Sequence, residues 1–348
     1  MSLPPVDIPL GAMRFNSDSN KLEYWNGSAW FQIKTFSPNL GMPSGGSTVG
    51  ARGMYMGGLK NQQPSPVTTN EIDYYNIASA GNAQDFGNLT VNMYSGSTGN
   101  VASTTRGFVA GSSPNPGINT INRITFSTTG SAADYGDMTN KRYVFSAHSS
   151  ATRGLFMGGY VHPAYNNAID YITMATDGNA KDFGDMTSAT GYGAGGGSPT
   201  RAFQFGGVNL TSDVSMVTIS TLGNAVIFGG LQNARQGAPS GVSNSTRVLI
   251  GGGNLSPSNS KTGDVELYLS ASGGNSASFG TLTASRSYGL GGCGDQVRGT
   301  FAGGYTPTQV NIIDYISFAT GGQAVDFGDL NNVIRGGMGA SNAHGGLG

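Results

Sequence analysis

The stretch Arg153-Gly154-Leu155-Phe156-Met157-Gly158-Gly159 decides the fold, because it recurs in altered form along most of the chain. Each copy consists of an arginine, a short apolar run and a closing pair of small residues that is usually Gly-Gly. Self-similarity at a fixed period is the signature of a repeat architecture. Copies follow one another at intervals of 46 to 54 residues and begin at Arg52, Arg106, Arg153, Arg201, Arg247 and Arg298.

The rest of each unit supplies further short strand candidates that turn residues separate. An alternating strand such as 169–173 is followed by an aromatic-Gly pair such as Phe183-Gly184, and a small-residue segment such as 193–197 leads to the next arginine. Four short strands in about 40–50 residues are typical of a propeller blade. No segment shows an apolar period of 3.6 residues over a helix length, so helical solenoids are excluded.

This order of elements resembles the kelch repeat over residues 41 to 340. The resemblance implies an all-β fold, a six-bladed kelch-like β-propeller over residues 39–348. The chain departs from the family by placing Phe or Tyr where kelch repeats carry Trp, and by the order Asp73-Tyr74 in place of Tyr-Asp. Extra copies of the small-residue segment occur at 41–48 and 336–340. Either copy can supply the inner strand of the first blade.

The recurring polar residues are interpreted as scaffold. We expect each repeat arginine to donate hydrogen bonds to neighbouring backbone carbonyls, and the aromatic residue before Gly to pack between blades. The acidic residues recur too, which favours a structural role, although a carboxylate pair for glycoside hydrolysis stays open. They are Asp73, Asp170, Glu266 and Asp314 on one strand and Asp85, Asp134, Asp182 and Asp326 before the aromatic-Gly pair.

Residues 1–38 form a separate N-terminal β-hairpin extension. Residues 11–30 predict three short strands with turns at 17–20 and at Asn26-Gly27, a two-residue hairpin signal. The extension is interpreted either as a hairpin packed on the propeller or as an attachment module. Its motif resembles a short module of tailed-phage fibre and appendage proteins, which implies a virion component. The expected attachment residues are Arg14, Phe15, Tyr24, Trp25 and Trp30.

Composition excludes several classes of function. The chain has 18 basic and 19 acidic residues and no basic run, so we expect neither nucleic acid nor membrane as a partner. Its one cysteine, Cys293, is expected to be buried. No signal peptide or membrane span is visible. The resemblance to phage proteins then implies synthesis in the host cytoplasm and release on a virion.

No catalytic, metal or cofactor site is predicted. The histidines His148, His162 and His344 are not spaced as metal ligands, and we expect them in turns or at the surface. Recognition is expected in the variable loops after Gly-Gly, which would emerge on one face. These loops cover residues 59–70, 112–120, 160–168, 208–213, 253–263 and 305–311, and the candidate binding residues are Tyr160, His162, Tyr165 and Tyr305.

The sequence therefore predicts a phage virion structural protein, a tail or capsid appendage. Its propeller is expected to contact other virion proteins, with a host cell-surface glycan and a second copy of the chain as further partners. The first alternative is a glycan-binding or glycan-hydrolysing propeller. The second is a cellular kelch adaptor, which would carry partner domains beyond the propeller.

Overall fold

The computed structural model describes residues 8–16, 21–32, 50–60, 67–95, 97–113 and 117–347. These residues form an all-β protein, as predicted, with one short 3₁₀ helix at Gly345–Leu347. They divide into two compact units, a small N-terminal unit and a larger body. The predicted boundary at 38/39 lies outside the described residues, as do the turn at 17–20 and the segment 41–48. No helix in the described ranges has the length and apolar character to cross a membrane.

Within the described residues of the body, a group of four antiparallel strands recurs once for each predicted repeat. Repeat 1 has Met338–Ser341 as its inner strand, followed by Arg52–Lys60, Val67–Asn76 and Gln84–Asn88 as its second, third and outer strands. In the same order, repeat 2 has Ser97–Ala102, Arg106–Ser112, Ile118–Thr125 and Ala133–Asp137. Repeat 3 has Phe145–Ser149, Arg153–Met157, Ala168–Thr173 and Lys181–Asp185.

The other three repeats follow the same order of inner, second, third and outer strand. Repeat 4 has Ala194–Gly197, Arg201–Phe205, Asp213–Thr218 and Val226–Gly230. Repeat 5 has Ser240–Ser243, Arg247–Gly251, Asp264–Leu269 and Ala277–Thr281. Repeat 6 has Gly291–Gly294, Arg298–Ala302, Val310–Ser317 and Val325–Arg335. Short additional strands are Tyr160–Val161, Ala164–Tyr165, Arg235–Gln236, Asn254–Leu255, Ser260–Lys261, Gly274–Asn275 and Gly322–Gln323.

The inner strand of repeat 1 comes from the far end of the sequence. Met338–Ser341 pairs antiparallel with the strand Arg52–Lys60, and Met338 lies opposite Met56. Of the two small-residue copies that the sequence left open for this position, the C-terminal one takes it. The buried Cys293 thiol donates to the carbonyls of Met54 and Ala340 at 3.2 and 3.3 Å, so it links the two chain segments to repeat 6.

The inner strands pack side by side in the order of the repeats. The inner strand of repeat 1 contacts those of repeats 2 and 6, so the order closes on itself. Small residues allow this approach. A Cβ atom added to Gly195 would lie 2.3 Å from the carbonyl oxygen of Ala147, and one added to Gly241 would lie 2.1 Å from that of Gly195. Any larger side chain at these glycines would force the inner strands apart.

The core lies between neighbouring repeats. Leu155, Met157 and Phe183 of repeat 3, for example, pack with Ala202 and Val217 of repeat 4. The aromatic residue before Gly belongs to this layer, as predicted. Burial of such side chains stabilises the fold by about 1.5–3 kcal/mol each.

The repeat arginines clasp each repeat to the next, as predicted. Each guanidinium donates to a backbone carbonyl just after the third strand of the following repeat, and Arg298 of repeat 6 returns to repeat 1. The acceptors are Phe126 for Arg52, Met174 and Ala175 for Arg106, Ile219 for Arg153, Ser270 and Ala271 for Arg201, Phe318 for Arg247, and Ile77 and Ala78 for Arg298.

A second recurring contact joins each third strand to the preceding repeat. An oxygen of its polar side chain accepts a hydrogen bond from a residue just after the preceding outer strand or, in repeat 1, from Asn331 within that strand. The pairs are Asp73 with Asn331, Asn122 with Thr90, Asp170 with Thr139, Glu266 with Gln232 and Asn233, and Asp314 with Thr283. In repeat 4, the hydroxyls of Ser215 and Thr187 lie 2.9 Å apart. The structural role predicted for the third-strand acids is confirmed, whereas Asp85, Asp134, Asp182 and Asp326 lie exposed on outer strands.

Candidate functional site

A closed ring of backbone hydrogen bonds lies where the inner strands begin. Six residues form it, each within two residues of its inner strand, and each N–H donates to the carbonyl of the counterpart in the preceding repeat. The bonds are Ser95 to Gly336 (2.7 Å), Val144 to Ser95 (2.8 Å), Tyr192 to Val144 (2.9 Å), Ala238 to Tyr192 (2.9 Å), Gly289 to Ala238 (3.2 Å) and Gly336 to Gly289 (3.0 Å). We call these six residues the backbone ring.

Every member of the backbone ring has a positive φ, between 50° and 76°. That conformation costs of order 1–3 kcal/mol for a residue other than glycine. Val144, with φ 52°, is a β-branched residue for which this region is a true outlier. The closed hydrogen bonding over-determines the conformation, so the ring is a rigid frame for the side chains beside it.

Tyrosine side chains gather at this frame. Tyr192 belongs to the backbone ring, three others immediately precede members of it, and the remaining three contact these tyrosines. Most are partly buried, and Tyr288 is exposed at 37 %. We call this set the tyrosine arc, and it comprises Tyr94, Tyr143, Tyr160, Tyr165, Tyr192, Tyr288 and Tyr305.

One end of the tyrosine arc lies on the second loop of repeat 3. The strands Tyr160–Val161 and Ala164–Tyr165 pair as a small hairpin. The Tyr160 ring centroid lies 5.1 Å from that of Tyr165 and 5.3 Å from that of Tyr143. His162, at the exposed tip, lies 6.3 Å from Tyr160. The structure therefore brings three of the four predicted loop residues together.

The fourth predicted residue, Tyr305, lies at the opposite end of the arc. Its ring centroid is 6.0 Å from that of Tyr288. Two cations flank it: the guanidinium carbon of Arg335 lies 4.8 Å from the Tyr305 centroid, and Nζ of Lys261 lies 4.9 Å from it. Arg335 also lies 5.8 Å from the Tyr288 ring. The two cations therefore lie at the Tyr305 end of the arc, away from the end formed by Tyr160 and Tyr165.

Sequence reasoning missed the middle of the arc and its two cations. A signal was present, because four tyrosines recur just before the small-residue segments. These four are Tyr94, Tyr143, Tyr192 and Tyr288, spaced 49, 49 and 96 residues apart. The period of the repeat thus marks them, although they lie outside the variable loops in which recognition was expected.

Three hydroxyls of the arc, those of Tyr143, Tyr165 and Tyr192, have a raised pKa. Burial, together with the nearby hydroxyls of Tyr165 and Tyr143, raises the pKa of Tyr192 to about 12. Burial also raises the pKa of Tyr143 and of Tyr165. Such hydroxyls can donate and accept hydrogen bonds and cannot serve as bases. Ring faces next to neutral hydroxyls suit binding, since Tyr offers a large amphipathic contact area at low entropic cost.

The opposite end of the inner strands is covered by the chain itself. The 3₁₀ helix Gly345–Leu347 contacts the inner strands of repeats 3, 4 and 5. A Cβ atom on Gly346 would lie 1.7 Å from the carbonyl oxygen of Ser149, which shows how closely this segment is seated. We call residues 342–347 the tail plug.

The prediction of a surface or turn position is wrong for His148, which is fully buried on an inner strand, whereas His344 lies in the turn segment of the tail plug but is fully buried and not at the surface. Their ring centroids are 5.5 Å apart, and Nε2 of His344 lies 3.0 Å from the carbonyl oxygen of Ala102. Burial lowers the pKa of His148 to about 3 and that of His344 to about 4. Among the described residues, no group of three His, Cys, Asp or Glu side chains is arranged to hold a metal ion.

The N-terminal unit is a three-stranded antiparallel sheet of Met13–Asn16, Lys21–Trp25 and Trp30–Gln32. Its second turn lies where predicted, but it spans four residues, because Trp25 pairs with Trp30. The Asn26 side chain explains this, since its Oδ1 accepts from the N–H groups of Ser28 and Ala29 at 2.9 and 2.8 Å.

The five predicted attachment residues lie on the two opposite faces of this sheet. On one face, Arg14 pairs with the buried Glu23 at 2.9 Å and lies 4.2 Å from the Trp30 ring, which packs against Trp25. Because side chains alternate between the two faces along each strand, Phe15 and Tyr24 lie on the second face. That face is apolar and exposed, and comprises Met13 (63 %), Phe15 (63 %), Tyr24 (39 %) and Phe31 (48 %).

Two comparisons with known proteins gave no match: no protein-family model and no curated protein matches the chain. The repeat pattern and the N-terminal motif therefore carry the resemblance to kelch and phage appendage proteins. The tyrosine arc and the apolar face of the N-terminal sheet are the features from which a function is argued.

Proposed function

We propose that the body is a six-bladed kelch-like β-propeller that the strand Met338–Ser341 closes. Three independent sets of contacts run in cyclic order and support this proposal. They are the packing of the inner strands, the clasps of the repeat arginines and the hydrogen bonds of the backbone ring. Each set includes contacts that join repeat 1 to repeat 6, which an open array of repeats would lack.

The proposed function is that of a structural and recognition component of a tailed-phage virion. The apolar face of the N-terminal sheet attaches the chain to other virion proteins, and the propeller presents the tyrosine arc to a partner outside. A host cell-surface glycan is the favoured partner. A monomeric soluble protein rarely leaves large apolar groups exposed side by side, which supports a docking role for the face of Met13, Phe15, Tyr24 and Phe31.

One observation carries the recognition role. The repeat arginines and the polar side chains of the third strands are bound to neighbouring repeats, whereas partly exposed tyrosines gather at one rigid frame. Tyrosine is enriched in binding surfaces because it combines a large apolar face with a polar tip. Loops and side chains on a rigid scaffold are where recognition is normally found.

Hydrolysis of a glycan is the less favoured alternative. It would need two carboxyl groups across a scissile bond. The third-strand acids Asp73, Asp170, Glu266 and Asp314 are buried and accept hydrogen bonds from the preceding repeat. Within the described residues, the ring and cation contacts of the tyrosine arc include no carboxylate.

Incorporation into particles tests the virion role. The tagged chain is expressed in cells infected with the phage of the source culture, and purified particles are labelled with immunogold. We expect label at a fixed site on the tail or capsid, and about tenfold less label for the F15S/Y24S variant. L222S/V226S, which changes two comparably exposed apolar residues of repeat 4, is the matched control and is expected to label fully. Particles without label, opened or intact, would refute the virion role.

A further inference from the structure

Arg335 differs from every other arginine of the chain. All twelve arginines lie in the described residues, and the other eleven donate hydrogen bonds to the protein or pair with an acid. Within the described ranges, the Arg335 side chain does neither, and its Nε atom is buried without a partner. Its guanidinium instead lies against the rings of Tyr305 and Tyr288.

Lys261 adds a second cation at the same end of the tyrosine arc. Its ammonium lies over Tyr305 and has no ion pair among the described residues. The undescribed stretches of the body, which are 40–49, 61–66, 96, 114–116 and 348, contain no acidic residue that could supply one. Within the described residues, two positive charges thus lie beside partly exposed aromatic rings without an acidic side chain paired to them.

We propose that this end of the tyrosine arc binds the carboxylate of an acidic saccharide. The inference deepens the proposed recognition role and rests on it. A guanidinium whose N–H groups are unused can bind a carboxylate through two parallel hydrogen bonds. Cation–π contacts with the rings of Tyr305 and Tyr288 position that guanidinium. The apolar face of the sugar ring then packs on the exposed Tyr288 ring.

The groups around this end favour a saccharide over an acidic peptide. The polar side chains recorded near this end are amides: that of Gln236 donates to Oδ1 of Asn259, which directly precedes the short strand Ser260–Lys261. Thr306 directly follows Tyr305, and Thr308 lies two residues further along the chain. Hydroxyl and amide groups match the hydroxyls of a sugar. The other tyrosines of the arc, as far as Tyr165, extend the surface to further sugar units.

The experiment measures affinity for matched acidic and neutral ligands. The full chain is titrated with trigalacturonic acid and with its methyl ester, and with 3′-sialyllactose and its methyl ester, by calorimetry and saturation-transfer NMR. Trigalacturonate and sialyllactose represent two sources of a sugar carboxylate, and triglutamate serves as the acidic peptide. We expect at least one acid to bind about tenfold or more tightly than its ester, as a charge-assisted hydrogen bond predicts. The preference should shrink as salt is added.

Variants assign the preference to Arg335. In R335Q we expect the acid to bind only as tightly as the ester, while ester binding stays unchanged. K181Q removes one positive charge from the exposed outer strand of repeat 3 and should bind like the wild type. Y288A should weaken acid and ester together, because it removes the packing surface. Near-UV circular dichroism checks that each variant keeps its fold.

Several results would overturn the inference. These are equal affinity for acid and ester, a preference that survives in R335Q, tighter binding of triglutamate, or no binding to any acidic saccharide of a glycan array. The proposed virion role fails separately, by absence of immunogold label on the particles. Labelled particles together with a preference for neutral sugars would therefore leave the virion role standing and reject the carboxylate.

Discussion

Repeats 3, 5 and 6 join the preceding repeat through a buried ion pair, whereas repeats 2 and 4 make the same joint with neutral groups. The ion pairs are Arg142–Asp170, Arg235–Glu266 and Arg286–Asp314, all fully buried. In repeat 2, Met93 occupies the place of the arginine, and its sulfur accepts a hydrogen bond from Asn122 at 3.8 Å. In repeat 4, Thr190 occupies that place, and the hydroxyl of the third-strand Ser215 instead lies 2.9 Å from that of Thr187. The loop's hydrogen bond to the third strand is common to both kinds of joint.

The comparison shows that this contact between repeats can be charged or neutral, but that a buried arginine occurs only together with a buried acid. An acid on the third strand accompanies an arginine in the loop, and a neutral acceptor accompanies a methionine or threonine. Repeat 1 is the exception, because Asp73 faces the strand Val325–Arg335, which has Ile334 at the arginine position. There the amide of Asn331 supplies the second hydrogen bond at 2.7 Å, and burial raises the pKa of Asp73.

Breaking one ion pair should have the largest effect. R286M leaves the Asp314 carboxylate buried without its cation, and we expect the free energy of unfolding to fall by about 3–5 kcal/mol. R286M/D314N reproduces the Met-Asn joint of repeat 2 and should recover most of that loss. Urea unfolding of the two single variants and the double variant measures the coupling. A double variant as unstable as R286M would show that the two kinds of joint are not interchangeable.

At the other end of the inner strands, the buried side chains of His148 and His344 are also uncharged at neutral pH. Because folding lowers the pKa of His148 and of His344, the unfolded chain binds more protons between pH 6.5 and about 4. The free energy of unfolding therefore falls as pH falls through this window. H148Q should flatten the slope by about 1.4 kcal/mol per pH unit near pH 5. A slope that H148Q leaves unchanged in urea unfolding between pH 4 and pH 6.5 would contradict the assignment.

The arginine clasps should contribute less than the buried pairs, because they are partly exposed. R153Q, within the order of repeats, and R298Q, at the contact from repeat 6 to repeat 1, should each lower the free energy of unfolding by about 1 kcal/mol. Equal effects in urea unfolding are what a closed ring of blades predicts. A silent R298Q beside a destabilising R153Q would indicate that repeats 6 and 1 are not clasped in solution.

The smallest effect is expected at Asp73. Its raised pKa means that ionisation opposes folding, so this penalty is absent at low pH and complete above the folded pKa. D73N removes the penalty and keeps an acceptor for Asn331, as Asn122 does for Thr90 in repeat 2. Relative to wild type, D73N should be more stable at pH 7.5 than at pH 4, by about 1 kcal/mol or less. A difference that does not change with pH would assign another role to Asp73.

The sequence was informative where a pattern recurs. The recurring motif of an arginine, an apolar run and Gly-Gly predicted the second strands and the hydrogen bonds of the repeat arginines. It could do so because six copies show which residue types recur at each position. The aromatic-Gly pairs predicted the packing between repeats for the same reason. The burial of Cys293 was predicted from the usual burial of a free cysteine, and it is confirmed.

What lies outside the repeat could not be predicted. The residues of the tail plug occur once, so nothing in the pattern indicated that His344 would lie beside His148. The backbone ring was hidden because its members are Ser, Val, Tyr, Ala and Gly, and only their common φ relates them. Arg335 was overlooked since it is one residue away from the arginine position of repeats 3, 5 and 6. Its distinction is the lack of a partner, which only a structure can reveal.

The pairing of Met338 with Met56 has a consequence for synthesis of the chain. About 280 residues separate the two strands, so at 5–20 residues per second the ribosome needs roughly 15–55 s to make the partner of the strand 52–60. For that time the edge of this strand is an open template for wrong pairing. A chain released early never covers it. Only translation products that extend through residue 341 therefore hide this edge from chaperones and proteases.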